Sequence, residues 1–161
     1  MRIAIGCDEA AYCLKVEIMK HIENREDLEI VDFGAMAGDV VLYPDVAYTV
    51  ADAVSGGEFD RGILFCGTGI GMAICANKVP GIRAAVCHDP FSAERSRKSN
   101  NAQILCMGER VIGVELAKYI VDIWLNCDFA GGGSAPKVAR IQELEQEHIR
   151  SFHETAAPQH A

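Results

Sequence analysis

Five short apolar runs punctuate the chain, and what lies between them is helical. "RIAIGC" (2–7), "LEIVDF" (28–33), "RGILFC" (61–66), "IRAAVC" (82–87) and "QILCMG" (103–108) are rich in Ile, Val, Leu and Phe and lack clean alternation. A strand with one wet face alternates; a strand covered on both faces does not. Leu14, Ile18 and Ile22 fall at i, i+4 and i+8, one face of a helix, and Val46, Val50 and Val54 repeat that spacing. Leu116, Ile120, Ile123 and Leu125 mark a later helix, begun near Val111 and ended around Asn126. This alternation constrains the fold to a parallel sheet with right-handed crossovers and helices on both faces.

The expected fold class is therefore α/β: a three-layer, doubly wound, flavodoxin-like or Rossmann-like sandwich on a five-stranded parallel sheet. At 161 residues the chain is one domain long. Residues 1–129 read as that domain, and "AGGGSAP" (130–136) as a glycine-rich linker. Residues 137–155 read as a C-terminal helix of the same domain, with Val138, Ile141, Leu144 and Ile149 on one face, and 156–161 as a frayed tail. A helix tethered in this way is expected to pack on a neighbour or on a partner subunit.

The net charge of -8 argues against a nucleic-acid binder, and no basic stripe appears: the densest cluster, Arg95, Arg97 and Lys98, sits beside Glu94. No apolar run reaches the length of a membrane span, and the opening "MRIAIGCDEA" is too short in apolar residues for a signal peptide. Seven cysteines, an odd number without a C-x-x-C pair, fit neither a disulfide framework nor a zinc site. A reduced, cytoplasmic setting without metal is the expectation.

Open parallel sheets bind ligands beyond the carboxyl ends of their strands. There the polar residues of this chain collect: Asp8 and Glu9 after the first run, His88 and Asp89 after the fourth, and "GTGIG" (67–71) after the third. The glycine loop opens a helix, "IGMAICANKV", so its N–H groups form an anion site. Dinucleotide binding is one reading, with Asp89 as its acid, but the third glycine of G-x-G-x-x-G falls at Met72. Cys66 stands at the mouth of the loop. It reads either as one more small buried hydrophobe, which suffices for Cys75, Cys87, Cys106 and Cys127, or as a thiolate held at a helix start. A base beside N–H donors is what proton abstraction next to a carbonyl requires. Asp8 and Glu9 read as acid–base partners or as a helix cap and first-turn acid. His21, His148, His153 and His160 read as solvated, and His88 alone lies at the active edge.

"IAIGCDEA", "YPDVA", "RGILFCGTGIGMAICANKVPGIRAAVCHD" and "NNAQILCMGERVIG" resemble the ribose-5-phosphate isomerase B / galactose-6-phosphate isomerase family, in order from about residue 2 to 129. The resemblance implies a cofactor-free aldose–ketose isomerase working through a cis-enediol, on a sugar or sugar phosphate, as a homodimer or tetramer with a site completed across the dimer. It makes Cys66 the base, the N–H groups of Gly67, Gly69 and Gly71 the cradle of the enediolate, and Thr68 and Asp8 the aids to ring opening. Tyr43 and Asn100 would bind hydroxyls and Arg110 the phosphate.

The chain departs from that family at four substrate-binding positions. Glu9 stands where a histidine helps to bind phosphate, and Ser99 where a histidine opens the ring. Of two late arginines that clamp phosphate, one falls at Gly133 and the other at Lys137. A lysine does not replace a bidentate arginine in kind. Three accounts fit: an atypical substrate, such as a tetrulose phosphate or an unphosphorylated sugar bound through Glu9; a subunit of a heteromeric isomerase; or ordinary ribose 5-phosphate. Outside isomerisation stand a binding-only relative and a nucleotide- or flavin-binding module.

Overall fold

The computed structural model describes residues 1–156; most of the expected tail (156–161), with His160, lies outside them. Strands β1 (Arg2–Cys7), β2 (Glu29–Asp32), β3 (Arg61–Cys66), β4 (Ala84–Val86) and β5 (Ile104–Gly108) form one sheet in the order β2-β1-β3-β5-β4. Every pairing is parallel. The inner strands β1 and β3 keep their expected bounds. The edge strands are shorter; at β4, Ala84 N–H donates to Asn77 Oδ1 and Arg83 N–H to Gln103 Oε1, both at 2.9 Å.

Helices α1 (Tyr12–Ile22), α2 (Tyr43–Ser55), α3 (Ile70–Ala76), α4 (Pro90–Lys98) and α5 (Val114–Leu125) cover both faces. Alternate strand residues divide between two cores. Ile3, Ile5, Ile63, Phe65, Leu105 and Met107 meet α1, α4 and α5, while Ala4, Leu64, Ile104 and Cys106 meet α2 and α3. Both faces are covered, which is why no run alternates.

Two helices differ from their sequence reading. α4 has no apolar stripe to announce it; Asp89 caps it by accepting from Ser92 N–H at 2.8 Å, with Pro90 in the first turn. α5 starts at Val114, and its buried face runs through Ala117, Ile120, Val121 and Trp124, leaving Leu116 41% exposed. Its expected first turn is instead a reverse turn, in which Val111 and Ile112 N–H both donate to Gly108 O.

After a single 3-10 turn at Gly132–Ser134, α6 (Ala135–Ala156) leaves the domain. Val138 is buried and Glu145 accepts from Gly81 N–H at 2.8 Å, but Ile141 and Leu144 stay about half exposed. Its apolar stripe is largely uncovered within this chain. Among the described residues, no helix is long and apolar enough to cross a membrane.

Candidate active site

The order of the sheet reverses at β1, with β2 on one side and β3 on the other, and a cleft of about 480 Å³ opens above the carboxyl ends there. Cys66, the last residue of β3, lies at its floor and is 6% exposed. Its Sγ accepts the Gly69 N–H at 3.1 Å. Gly69 has φ +78°, and a Cβ there would sit 3.0 Å from the Met107 backbone. Glycine therefore aims that N–H at the sulfur. The neighbouring Ile70 N–H donates to Thr68 Oγ1 at 3.3 Å.

The loop rests on β5. A Cβ at Gly108 would lie 2.5 Å from the Thr68 backbone, so Gly108 lets the loop seat. His88 Nε2 in turn accepts the Gly108 N–H at 2.9 Å. His88, the one histidine expected at the active edge, is thus a prop behind the loop rather than a wall of the cleft. An accepting ring nitrogen is unprotonated. Burial lowers the ring's pKa from its ordinary 6.5, with Asp89 pulling it partly back.

That sign fixes a pH dependence. The bond's contribution is intact above the unfolded value of 6.5 and is lost as pH falls through the depressed folded value. Urea midpoints measured from about pH 7.5 down to 5 should fall in the wild type and fall less in His88→Gln. Equal falls in both would contradict this role.

Asp8, 9% exposed, walls the cleft and also accepts the Ala10 N–H at 3.0 Å, capping the 3-10 turn Glu9–Ala11. The cap reading of Asp8 therefore holds. Burial, then the neighbouring Glu9, holds its carboxyl above the usual carboxylate range, and Arg110 pulls it back. Tyr43, at the start of α2, stands against Gly71 so closely that a Cβ there would be 2.6 Å from its ring. Arg110 N–H donates to Gly67 O at 3.1 Å, and its side chain lies along Gly67.

The cleft thus gathers Asp8, Tyr43, Cys66, Gly67, Thr68, Gly71 and Arg110. Five expected binding residues do not line it: Gly69 gives its N–H to Cys66 Sγ rather than to the cleft, and four lie elsewhere. Glu9 turns to the loop before α2 and accepts Val41 N–H at 3.4 Å. Ser99 and Asn100 follow α4, which runs back from the carboxyl edge, so they sit at the opposite edge of the sheet. Lys137 is exposed in the first turn of α6. Ala130 N–H donates to Lys98 O, so the segment leading to Lys137 departs beside Ser99 and Asn100.

Ile70 and Ile74, unmarked in the sequence reading, also line the cleft from α3 and are 55% and 59% exposed. Their i, i+4 spacing was the available signal. His21, read as solvated, meets the Asp122 carboxylate at 2.9 Å. Among the described residues, no His, Cys, Asp and Glu cluster has the makings of a metal cage.

A thiol, a buried carboxyl, a guanidinium and a glycine loop around one cleft can move a proton beside a carbonyl and hold the resulting charge. Comparison with known proteins agrees. Residues 3–141 match the Ribose/Galactose Isomerase family. The D-erythrulose-4-phosphate isomerase of Pectobacterium atrosepticum is 54% identical over 148 residues, covering 91% of this chain and 97% of its own. The Ribose-5-P isomerase B of Listeria innocua is 51% identical, covering 92% and 99%. The Clostridium thermocellum ribose-5-phosphate isomerase B structure superposes with a TM-score of 0.88 at 50% identity, over 92% of this chain and 99% of that one. With fold, cleft and relatives in agreement, the chain belongs to the Ribose/Galactose Isomerase family and is a sugar-phosphate isomerase of the aldose–ketose kind.

Proposed function

We propose that Cys66 is the base of this isomerase and that its substrate is a tetrulose phosphate. The thiol at the cleft floor, turned on the Gly69 N–H, carries the reading. As thiolate, Sγ takes the proton from the carbon beside the carbonyl, and the electron pair moves onto the carbonyl oxygen. Loop N–H groups not already directed to Sγ or Thr68 Oγ1 hold that enediolate. A proton passes between the two oxygens, and Sγ–H returns its proton to the former carbonyl carbon. The buried carboxyl of Asp8 is placed to carry the oxygen-bound proton. Tyr43 binds a hydroxyl and Arg110 the phosphate. Thr68 and Asp8 assist ring opening when a substrate has a ring.

The departures from the family pattern favour a short substrate. Ser99 has no imidazole with which to open a ring. A 2-tetrulose 4-phosphate has no free hydroxyl placed to close one, so it needs no such histidine. Glu9 accepts Val41 N–H with one carboxylate oxygen and is not in the lining of the cleft, which weakens the case for an unphosphorylated sugar. The relatives are named for both four- and five-carbon substrates at nearly equal identity, so these residues decide.

The protein works in the cytoplasm as a homodimer or larger assembly in which one subunit completes the other's site. Asn100 and Lys137 leave from one edge of the sheet, opposite their own cleft. Exposed Ile70, Ile74 and Leu42 at the cleft side and the uncovered stripe of α6 are surfaces for a second copy. Ser99, Asn100 and Lys137 of the partner subunit then face the cleft.

Initial rates with D-erythrulose 4-phosphate and with ribose 5-phosphate test the substrate. We expect kcat/KM for the tetrulose to lead by at least about tenfold. A lead for ribose 5-phosphate would overturn the substrate and leave the isomerase.

A further inference from the structure

Asn101 is the one non-glycine among the described residues with positive φ, +49°. Asparagine tolerates this region better than most residues, yet the conformation still needs support. Here the support is unusually dense. Arg97, 7% exposed, donates from Nη1 to Asn101 Oδ1 at 3.3 Å and to Ala102 O at 2.6 Å. Arg83 Nε donates to Asn101 O at 3.1 Å. Asn101 N–H donates to Arg97 O, and Ala102 N–H to Ser96 O.

Arg97 also reaches the other way. Its Nε donates to Cys127 O at 3.5 Å, and its guanidinium lies 5.9 Å from the Trp124 ring. The same indole meets Arg61, which holds Trp124 O, Leu125 O and the Asp128 carboxylate. Burial, then the nearby Arg61, pushes Arg97 down to about 10, so it remains a cation at neutral pH. A buried cation beside two others is a poor device for stability alone. Its bonds join the turn that carries Ser99 and Asn100 to the segment that runs on to Lys137.

We infer that Arg97 is a positioning residue for isomerisation: by tying the Asn101–Ala102 turn to the Cys127 carbonyl, it sets Asn100 and Lys137 for the partner's cleft. This rests on the proposal that each site is completed by the partner subunit. Lysine keeps the charge at position 97 but has no planar fork to bond both segments.

The test is complementation in dimers carrying two different tags. As a homodimer, Arg97→Lys should lose at least about tenfold in kcat/KM, mostly through KM. Paired with a Cys66→Ala subunit, it should recover to about half the wild-type rate, because one of the two sites then has an intact thiol and an intact partner turn. A residue acting only within its own subunit would show no recovery. Asn101→Gly keeps the left-handed backbone, removes only the Oδ1 contact, and should repeat the pattern more weakly should the lysine variant not assemble. A control pair, Asn100→Ala with Cys66→Ala, tests completion by the partner itself. Recovery in the control without recovery for Arg97→Lys overturns the role of Arg97 alone, as does a lysine homodimer within about twofold of wild type. No recovery in the control overturns completion by the partner, and this inference with it.

Discussion

Replacing Cys66 with alanine should lower kcat by about 100- to 10,000-fold, the range a positioned base supplies, with the folded state almost unchanged. The sulfur contributes one hydrogen bond, from Gly69 N–H, and little volume. Its removal should cost about 1 kcal/mol of stability at most. Cys66→Ser keeps an acceptor for that N–H but supplies a hydroxyl, a far poorer base, and should be nearly as slow. The buried thiols of Cys7, Cys87 and Cys106 are not reserves. Burial pushes Cys7 and Cys87 up to about 11 and Cys106 well above its ordinary value. Turnover with one substrate under saturating conditions checks the claim; an alanine variant within about tenfold of wild type would remove the assigned base.

The largest effect on stability should come from Lys15→Met. Lys15 is 1% exposed, and its Nζ donates to Asp32 Oδ2 at 2.6 Å and to Ala35 O at 2.8 Å. Asp32 Oδ1 accepts the Gly34 N–H and Ala35 N–H donates to Cys7 O, so the ammonium joins both ends of the turn after β2. Methionine fills the space but strands a mostly buried carboxylate and a carbonyl. Loss of one partner of such a pair costs about 3 kcal/mol. The chain from that turn leads to Glu9's contact at Val41 and on to Tyr43, so activity should fall with it. Replacing Asp32 as well, in Lys15→Met/Asp32→Leu, should restore only part of the stability, because the unpaired carboxylate is gone but Gly34 N–H loses its acceptor and Ala35 O stays without Nζ. Urea unfolding measures both; a single variant within about 0.5 kcal/mol of wild type would show the pair to be dispensable.

How far the sequence reached can be seen residue by residue. β1 and β3 were legible because both their faces are buried, which leaves unbroken apolar runs. α1 and α2 were legible because β-branched and aliphatic residues repeat every four positions. α4 was not, since it buries Ala93, Ser96 and Arg97 and carries no apolar stripe. In α5 the face passes through Ala117, which a search for large residues overlooks in favour of Leu116. Cys66 stood out by its place between a strand and a glycine loop. What no spacing reveals is direction: that Gly69 turns its N–H onto the sulfur, that Glu9 turns away to Val41, and that His88 faces Gly108 from behind. Nor does spacing show that Ser99, Asn100 and Lys137 share an edge remote from their own cleft. Those facts depend on crossover geometry and on single backbone angles, such as those of Gly69 and Asn101.

Solvent deuterium incorporation at the carbon beside the carbonyl is the most direct test of the central claim. Proton NMR in heavy water would follow D-erythrulose 4-phosphate with the wild type and with Cys66→Ala. A thiolate base that picks up and returns a proton through an enediolate exchanges it with solvent, so the wild type should incorporate deuterium and the alanine variant should not. Incorporation or isomerisation that survives the loss of Cys66 would contradict the account.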